Sequence, residues 1–322
     1  MKQLSPKKKL FSDIKQTLMM HPVILVLVTL FVIFTTIYPE RFLSPINVKT
    51  MIRQFVTLIL FALGPSFVVV TGSLDLSYVG VWMLGGVMVW LCMPVLGMFA
   101  IFMILVVGVA TGVFIGVVQT KAKIPSFILT LSLLVTYTGL TALLAGGYPR
   151  SVQGYEFITA TLLPVIPTTF LWSLPIIAAA VFVMKSTRIG VYFCAIGSNE
   201  EGARLAGINV DKNKILAFTI SGMFTGIGAM ILFQHLGGST PVELKLNTLV
   251  WPLVAIVLGG TPLAGGSGGP QRTILGALAF TVFYRGLYLS ALHPYSITLL
   301  VGMVLIVSII VSARGLRGVT IT

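Results

Sequence analysis

Long apolar runs broken by short polar islands define this chain. The intervals free of Lys, Arg, Asp and Glu cover residues 16–39, 54–74, 76–120, 124–149, 157–184, 215–242, 246–271, 273–284 and 286–313. A hydrocarbon core about 30 Å thick is crossed by roughly 20 residues of helix. Most of these intervals suit one crossing. The interval 76–120 is long enough for two, and Met93, Pro94 and Gly97 mark a turn near its middle. Ten hydrophobic segments result. The pattern predicts an all-α polytopic membrane protein with about ten transmembrane helices. Residues 246–260 form the weakest segment. It holds Pro252, ends in Gly259 and Gly260, and reads as a short or re-entrant helix. Irregular backbone at such depth must be covered by protein or by a water-filled cavity.

Composition supports this picture. Only 9% of the residues are charged, against about a quarter in a soluble domain. Ten crossings leave short loops and no room for a sizeable soluble domain. The 33 glycines suit helices that pack backbone to backbone in lipid. The apolar run after the basic N-terminal stretch has no small-residue cleavage site, so it reads as an uncleaved first span.

Charge then orients the chain. With a cytoplasmic N-terminus and ten crossings, fifteen basic residues face the cytoplasm. They are Lys2, Lys7, Lys8, Lys9 and Lys15; Lys121 and Lys123; Lys185, Arg188, Arg204, Lys212 and Lys214; Arg272; and Arg314 and Arg317. Five face outward: Arg41, Lys49, Arg53, Arg150 and Lys245. This is the asymmetry of the positive-inside rule, and it places both termini inside. The expected organisation is a cytoplasmic tail over 1–20, a membrane domain over 21–313 and a second tail over 314–322. The net charge of +13 reads as topology and contact with anionic lipid, not as nucleic-acid binding.

Few side chains suggest chemistry. Cys92 and Cys194 have no metal-ligand or disulfide-framework spacing. His21, His235 and His293 fall near span ends and suit interfacial positions. Ser239 and Ser267 lie near glycines, but no Ser/His or paired-carboxylate spacing supports an intramembrane enzyme. The glycine-rich stretch at 259–269 lacks the Lys-Ser or Lys-Thr of a phosphate loop, and LAGGS at 263–267 reads as a turn. No cofactor is expected. Asp75 and Arg285 are the ionisable residues within or at the end of a span. Asp75, with Ser73 and Ser77, could cap the next helix or belong to a gate. Arg285 could snorkel to the outer headgroups or serve a pathway or subunit contact. Two such groups are too few for the relay of an ion-coupled secondary transporter.

The longest cytoplasmic loop, 185–214, carries the most information. Its centre reads AIGSNEEGARLAGIN. Asn199 is a good N-cap, Glu200 and Glu201 suit the first turn, and Gly207 suits a C-terminal stop. The segment predicts a short, polar, capped helix that a soluble partner could grip.

This segment resembles the coupling-helix loop of ABC importer permeases of the ribose, xylose, arabinose and galactose group. Gly197, Asn199, Ala203, Ala206, Gly207 and Ile208 stand at the matching places. Four other stretches resemble the same family in order and spacing: ERFLSPINVKTMIRQ (40–54), TGSLDLS (71–77), KIPSFILTL (123–131) and LGGTPLAGGSGG (258–269). The chain departs from the family in several places. Ser73 and Arg272 stand where glycines are usual, and Ile115 stands where asparagine is common. The stretch with Glu243, Lys245, Trp251 and Pro252 fits the pattern poorly.

The resemblance implies the permease subunit of a binding-protein-dependent, ATP-driven importer for a small sugar or sugar-like solute, in a bacterial inner membrane. ATP hydrolysis would lie on a separate ATPase subunit, often with two fused cassettes. A second permease subunit and an external solute-binding protein complete the expected partners. Gly197, Asn199, Glu200, Glu201, Arg204 and Gly207 would couple to the ATPase. Gly72, Ser73, Asp75, Ser77, Gly259 and Gly260 would form the pathway or its gate. A branched-chain amino acid or nucleoside permease is the alternative within the same superfamily.

Overall fold

The computed structural model describes residues 22–155 and 165–317. The expected N-terminal tail with its five lysines, His21, and residues 157–164 lie outside them. The chain folds into helices α1 (Pro22–Ile37), α2 (Pro39–Phe42), α3 (Pro45–Val70), α4 (Tyr78–Leu96), α5 (Phe102–Ala122) and α6 (Ser126–Ala145). Then come α7 (Thr168–Ser186), α8 (Arg188–Ser198), α9 (Glu200–Leu205), α10 (Val210–His235), α11 (Leu246–Leu258), α12 (Pro270–Leu289) and α13 (Pro294–Arg317). The last helix runs into the segment expected as a C-terminal tail; 318–322 lie outside the described residues.

Among the described residues, five apolar helical stretches are long enough to cross a bilayer: Pro45–Val70, Tyr78–Ala122, Ser126–Ala145, Thr168–Ser186 and Val210–His235. Shorter apolar helices lie at Val23–Ile37, Leu246–Leu258 and Pro294–Ile310. The stretch Tyr78–Ala122 divides where the sequence suggests: α4 stops at Leu96, and Gly97 takes a φ of +55° before a 3-10 turn leads into α5. Glycine reaches that left-handed region at no steric cost. The weak segment 246–260 is a 13-residue helix. At about 1.5 Å per residue it is about 20 Å long, short of a full hydrocarbon core.

Local sequence sets the helix ends. Ser44 accepts a hydrogen bond from the Asn47 N–H, and Pro45 opens α3. Asn209 accepts from the Lys212 N–H at the start of α10. Pro270 begins α12 directly after Gly269. Serine, asparagine and first-turn proline are the residues that relieve the free N–H groups of a helix start.

The interior is built around α3 and α10, the most buried of the long helices. Phe67 of α3 stacks on Phe224 of α10 with ring centres 5.4 Å apart. Against α5, helix α10 makes contact backbone to backbone. A methyl group at Gly108 would overlap the Gly222 carbonyl, one at Gly222 the Gly108 carbonyl, and one at Gly112 the Phe218 carbonyl. Without a hydrophobic drive between helices in lipid, such close approach is the source of attraction.

The connections gather at two ends. At one end, 71–77, 123–125, 186–209 and 259–269 lie together: the Leu74 N–H donates to Ser126 Oγ (2.9 Å) and the Gly266 N–H to the Val70 carbonyl (2.9 Å). At the other, β1 (Arg150–Ser151) pairs antiparallel with β2 (Ser239–Thr240), with Arg150 opposite Thr240. Among the described residues, this short pair is the exception to an otherwise all-α fold. Arg285 also lies at this end. Its Nε and Nη2 donate to Asn47 Oδ1 at 3.1 and 2.5 Å, and its guanidinium sits 4.9 Å from the Tyr288 ring centre. It joins α12 to the first turn of α3.

Substituting Gly222 by alanine is expected to push α10 off α5 and cost about 1–3 kcal/mol, the usual range for overpacking. The melting temperature in detergent should fall. Gly139→Ala, where no atom lies within 4 Å of the added methyl, should leave it unchanged.

Candidate functional site

The four motif stretches of the sequence that belong to the first end meet in one junction. Loop 71–77 is its centre. Ser73 and Asp75 are buried, each at 3% exposure. The Asp75 carboxylate accepts from the Ser77 N–H (2.9 Å), from Ser77 Oγ (2.6 Å) and from Ser221 Oγ of α10 (2.7 Å). Three donors to one carboxylate are what make its burial tolerable without a cation. It makes no ion pair among the described residues. Asp75 therefore folds its own loop and pins that loop to α10. It does not cap α4, whose N-cap Ser77 offers no side-chain hydrogen bond to the helix. Ser73 Oγ accepts from Gln119 Nε2 of α5 (3.1 Å). Thr130 and Ser126 of α6 hold the Leu74 peptide from the other side.

The glycine-rich loop 259–269 closes over loop 71–77. Gly265 lies against the Gly72 peptide, and Gly72 against the Ala264 carbonyl. Among the described residues, no hydrogen bond joins Gly259 or Gly260 to loop 71–77. Gly259 packs on the Arg272 backbone of α12, and the Gly260 carbonyl accepts from Arg272 Nη1 (2.8 Å). The arginine that replaces a usual glycine thus ties α12 to the end of α11. Ile115, the other departure within the spans, is fully buried with Val68 and Phe218.

The loop 185–214, expected on the cytoplasmic side, holds two helices, not one. Thr187 caps α8 through the Ile189 N–H (3.2 Å). Helix α8 buries Gly190, Phe193 and Ile196, three residues apart in turn. That spacing was the available signal for it. Its last turn inserts between the two buried loops. A methyl group at Gly197 would overlap both the Val70 carbonyl and the Gly266 N–H, and Ser198 Oγ donates to the Gly266 carbonyl (3.3 Å). Gly197 therefore faces the junction, while the other five coupling candidates lie beyond it.

Those five build α9. Asn199 Oδ1 accepts from the Gly202 N–H (2.9 Å). Gly207, at φ +81°, ends the helix. The Gly207 N–H donates to the Arg204 carbonyl and the Ile208 N–H to the Ala203 carbonyl, the paired bonds of a Schellman stop. Ile208 and Ala203 also share a small apolar cluster with Ile196 and Val210. Glu200 pairs with Lys214 at 2.6 Å, and Arg204 with Asp211 at 3.2 Å and Glu200 at 3.6 Å. Exposed pairs of this kind add about 0–1 kcal/mol each; here they fix α9 to the first turn of α10. Glu201 makes no ion pair among the described residues and points to solvent beside Leu205, which is 86% exposed.

Sequence reasoning missed Ser221 and Gln119, whose polar side chains sit alone in apolar helices. It also missed α8. Among the described residues, no group of three His, Cys, Asp or Glu side chains is placed to hold a metal. Cys92 and Cys194 are both free thiols.

Comparison with known proteins fits this architecture. Residues 47–309 match the family described as branched-chain amino acid transport system / permease component. The ribose import permease protein RbsC of Haemophilus influenzae is 30% identical over 88% of this chain and 90% of its own length. The Escherichia coli K12 protein of the same name is 29% identical over 93% and 95%. The xylose/arabinose import permease protein XylH of Sulfolobus acidocaldarius is 25% identical over 91% and 83%. With five long apolar stretches of helix, the chain is a multi-pass membrane protein, and it belongs to the family of permease components of ABC import systems.

Proposed function

We propose that this chain is the permease of an ATP-driven importer for a small sugar. The observation that supports this most is the last turn of α8, wedged between loops 71–77 and 259–269 while α9 stands exposed beyond it. A partner pressing on α9 moves a rigid unit, since α9 is capped at both ends and ion-paired to α10. That unit touches both buried loops directly. Movement at the surface is thereby passed to the loops that close the pathway. Rigid displacement of one helix group against another is how alternating access is achieved.

The permease holds no fuel-using chemistry, so an ATPase subunit supplies the work, and a binding protein delivers the solute at the opposite face. A second permease subunit completes the pathway. The relatives' names favour a sugar over the branched-chain amino acid of the family description. An ion-coupled carrier is disfavoured: the Asp75 carboxylate is already engaged by hydroxyl and amide donors. The ten apolar segments each hold a helix, and the connections sort into two groups in strict alternation. Both facts support ten crossings with the two termini on one side; the excess of basic residues on that side favours the cytoplasm, and the bacterial relatives favour a bacterial inner membrane.

Two outcomes test this. In a variant freed of its native cysteines, Glu201→Cys should react with a membrane-impermeant maleimide only from the cytoplasmic side; labelling from outside would refute the orientation. Glu201→Lys and Leu205→Asp leave the ion pairs of α9 intact. They should abolish co-purification of the ATPase, or lower solute-stimulated ATP hydrolysis at least about tenfold, with normal membrane insertion. Unchanged coupling would remove α9 from the docking surface.

A further inference from the structure

At the end opposite the junction, α3 and α11 part to leave a cleft of about 300 Å³. Its walls include Arg53, Gln54, Thr57 and Phe61 of α3 and Asn247 and Trp251 of α11. Small-molecule sites begin at about this size, with mostly apolar walls and a few placed polar groups.

Thr50 and Thr57 donate back to their own helix, but one buried polar group of the cleft lacks a partner. Gln54 Nε2 is buried and donates to nothing among the described residues. A buried donor left unpaired is costly and calls for a partner from outside the chain. Arg53 enters no ion pair among the described residues. Pro65 in α3 and Pro252 in α11 have no N–H, so the carbonyls four residues earlier, at Phe61 and Thr248, lose their i+4 donors. Both residues line the cleft. The indole of Trp251 is braced by Tyr284 at 4.5 Å and Phe280 at 5.5 Å, so it presents a fixed surface.

Resting on the permease reading above, we propose that this cleft receives a neutral cyclic polyol of monosaccharide size. The Gln54 and Asn247 carboxamides and the Arg53 guanidinium supply donors and acceptors to ring hydroxyls. The aromatic walls cover the apolar C–H face of the ring. No Asp or Glu lines the cleft, so the ammonium group of an amino acid would be desolvated there without a counter-charge. The geometry therefore selects against the amino-acid class of solute and points to Trp251 and Gln54 as specificity-determining residues.

The purified full-length permease in lipid nanodiscs tests this directly by tryptophan fluorescence. Millimolar D-ribose, D-xylose or D-galactose should give a saturable change with at least one sugar. Trp251→Phe should lose that change, and Gln54→Leu should raise half-saturation about fivefold, as expected for one lost hydrogen bond. L-leucine should give no change. A response to leucine alone, no response to any of the sugars, or a full response retained in Trp251→Phe would overturn the assignment. ATP-dependent sugar uptake by the wild-type importer in proteoliposomes separates the two levels. Its presence with an inert cleft defeats this site alone. Its absence defeats the permease reading.

Discussion

Two connections of this protein run without regular secondary structure through its buried interior, and the rest follows from how their peptide groups are satisfied. In lipid an unpaired N–H or C=O has no water to turn to. Loops 71–77 and 259–269 solve this by bonding to each other and to their neighbours. The Val70 carbonyl accepts from Gly266, the Leu74 N–H finds Ser126, and Asp75 gathers three donors from its own loop and from α10. Ser221 lies eleven residues into α10, about 16 Å from the helix start. The Asp75 bond thus reaches well into the helical bundle. None of the loops at this end can shift alone without leaving a polar group unpaired.

That mutual dependence gives the surface knuckle its leverage. Helix α9 is fixed to α10 by exposed ion pairs, and α8 enters the junction through a glycine and a serine. Helix α10 in turn packs on α5 through close backbone contacts at Gly108, Gly112 and Gly222. The arrangement combines a stiff surface helix, a polar joint and a close glycine contact, the parts that the proposed coupling would use.

Much of this was legible in the sequence, for physical reasons that differ by element. Membrane-length helices announce themselves because charge is excluded from runs of about 20 residues. The break at Gly97 and the ends of α9 were legible because left-handed glycine and an asparagine cap are local requirements. Helix α8 was not recognised: its three buried residues are too few to stand out beside the charged island that follows. The meeting of Gly197 with Val70 and Gly266 depends on tertiary approach, which no local pattern encodes. The polar partners of Asp75 and Ser73 were equally hidden, because Ser221 and Gln119 look like ordinary interruptions in apolar helices. The cleft between α3 and α11 left a trace in the sequence only as the poor family fit around Trp251 and Pro252.

The two-residue strands β1 and β2 carry a consequence of their own. They clasp the segment after α6 to the segment after α10, with Arg150 also lying over the Trp90 ring of α4. Distant parts of the bundle are thereby stitched into one collar at the end opposite the junction. Any macromolecule that seizes this collar holds helices α4, α6 and α10 by a single grip, so its touch is felt along the same helix that carries α9 on the far side.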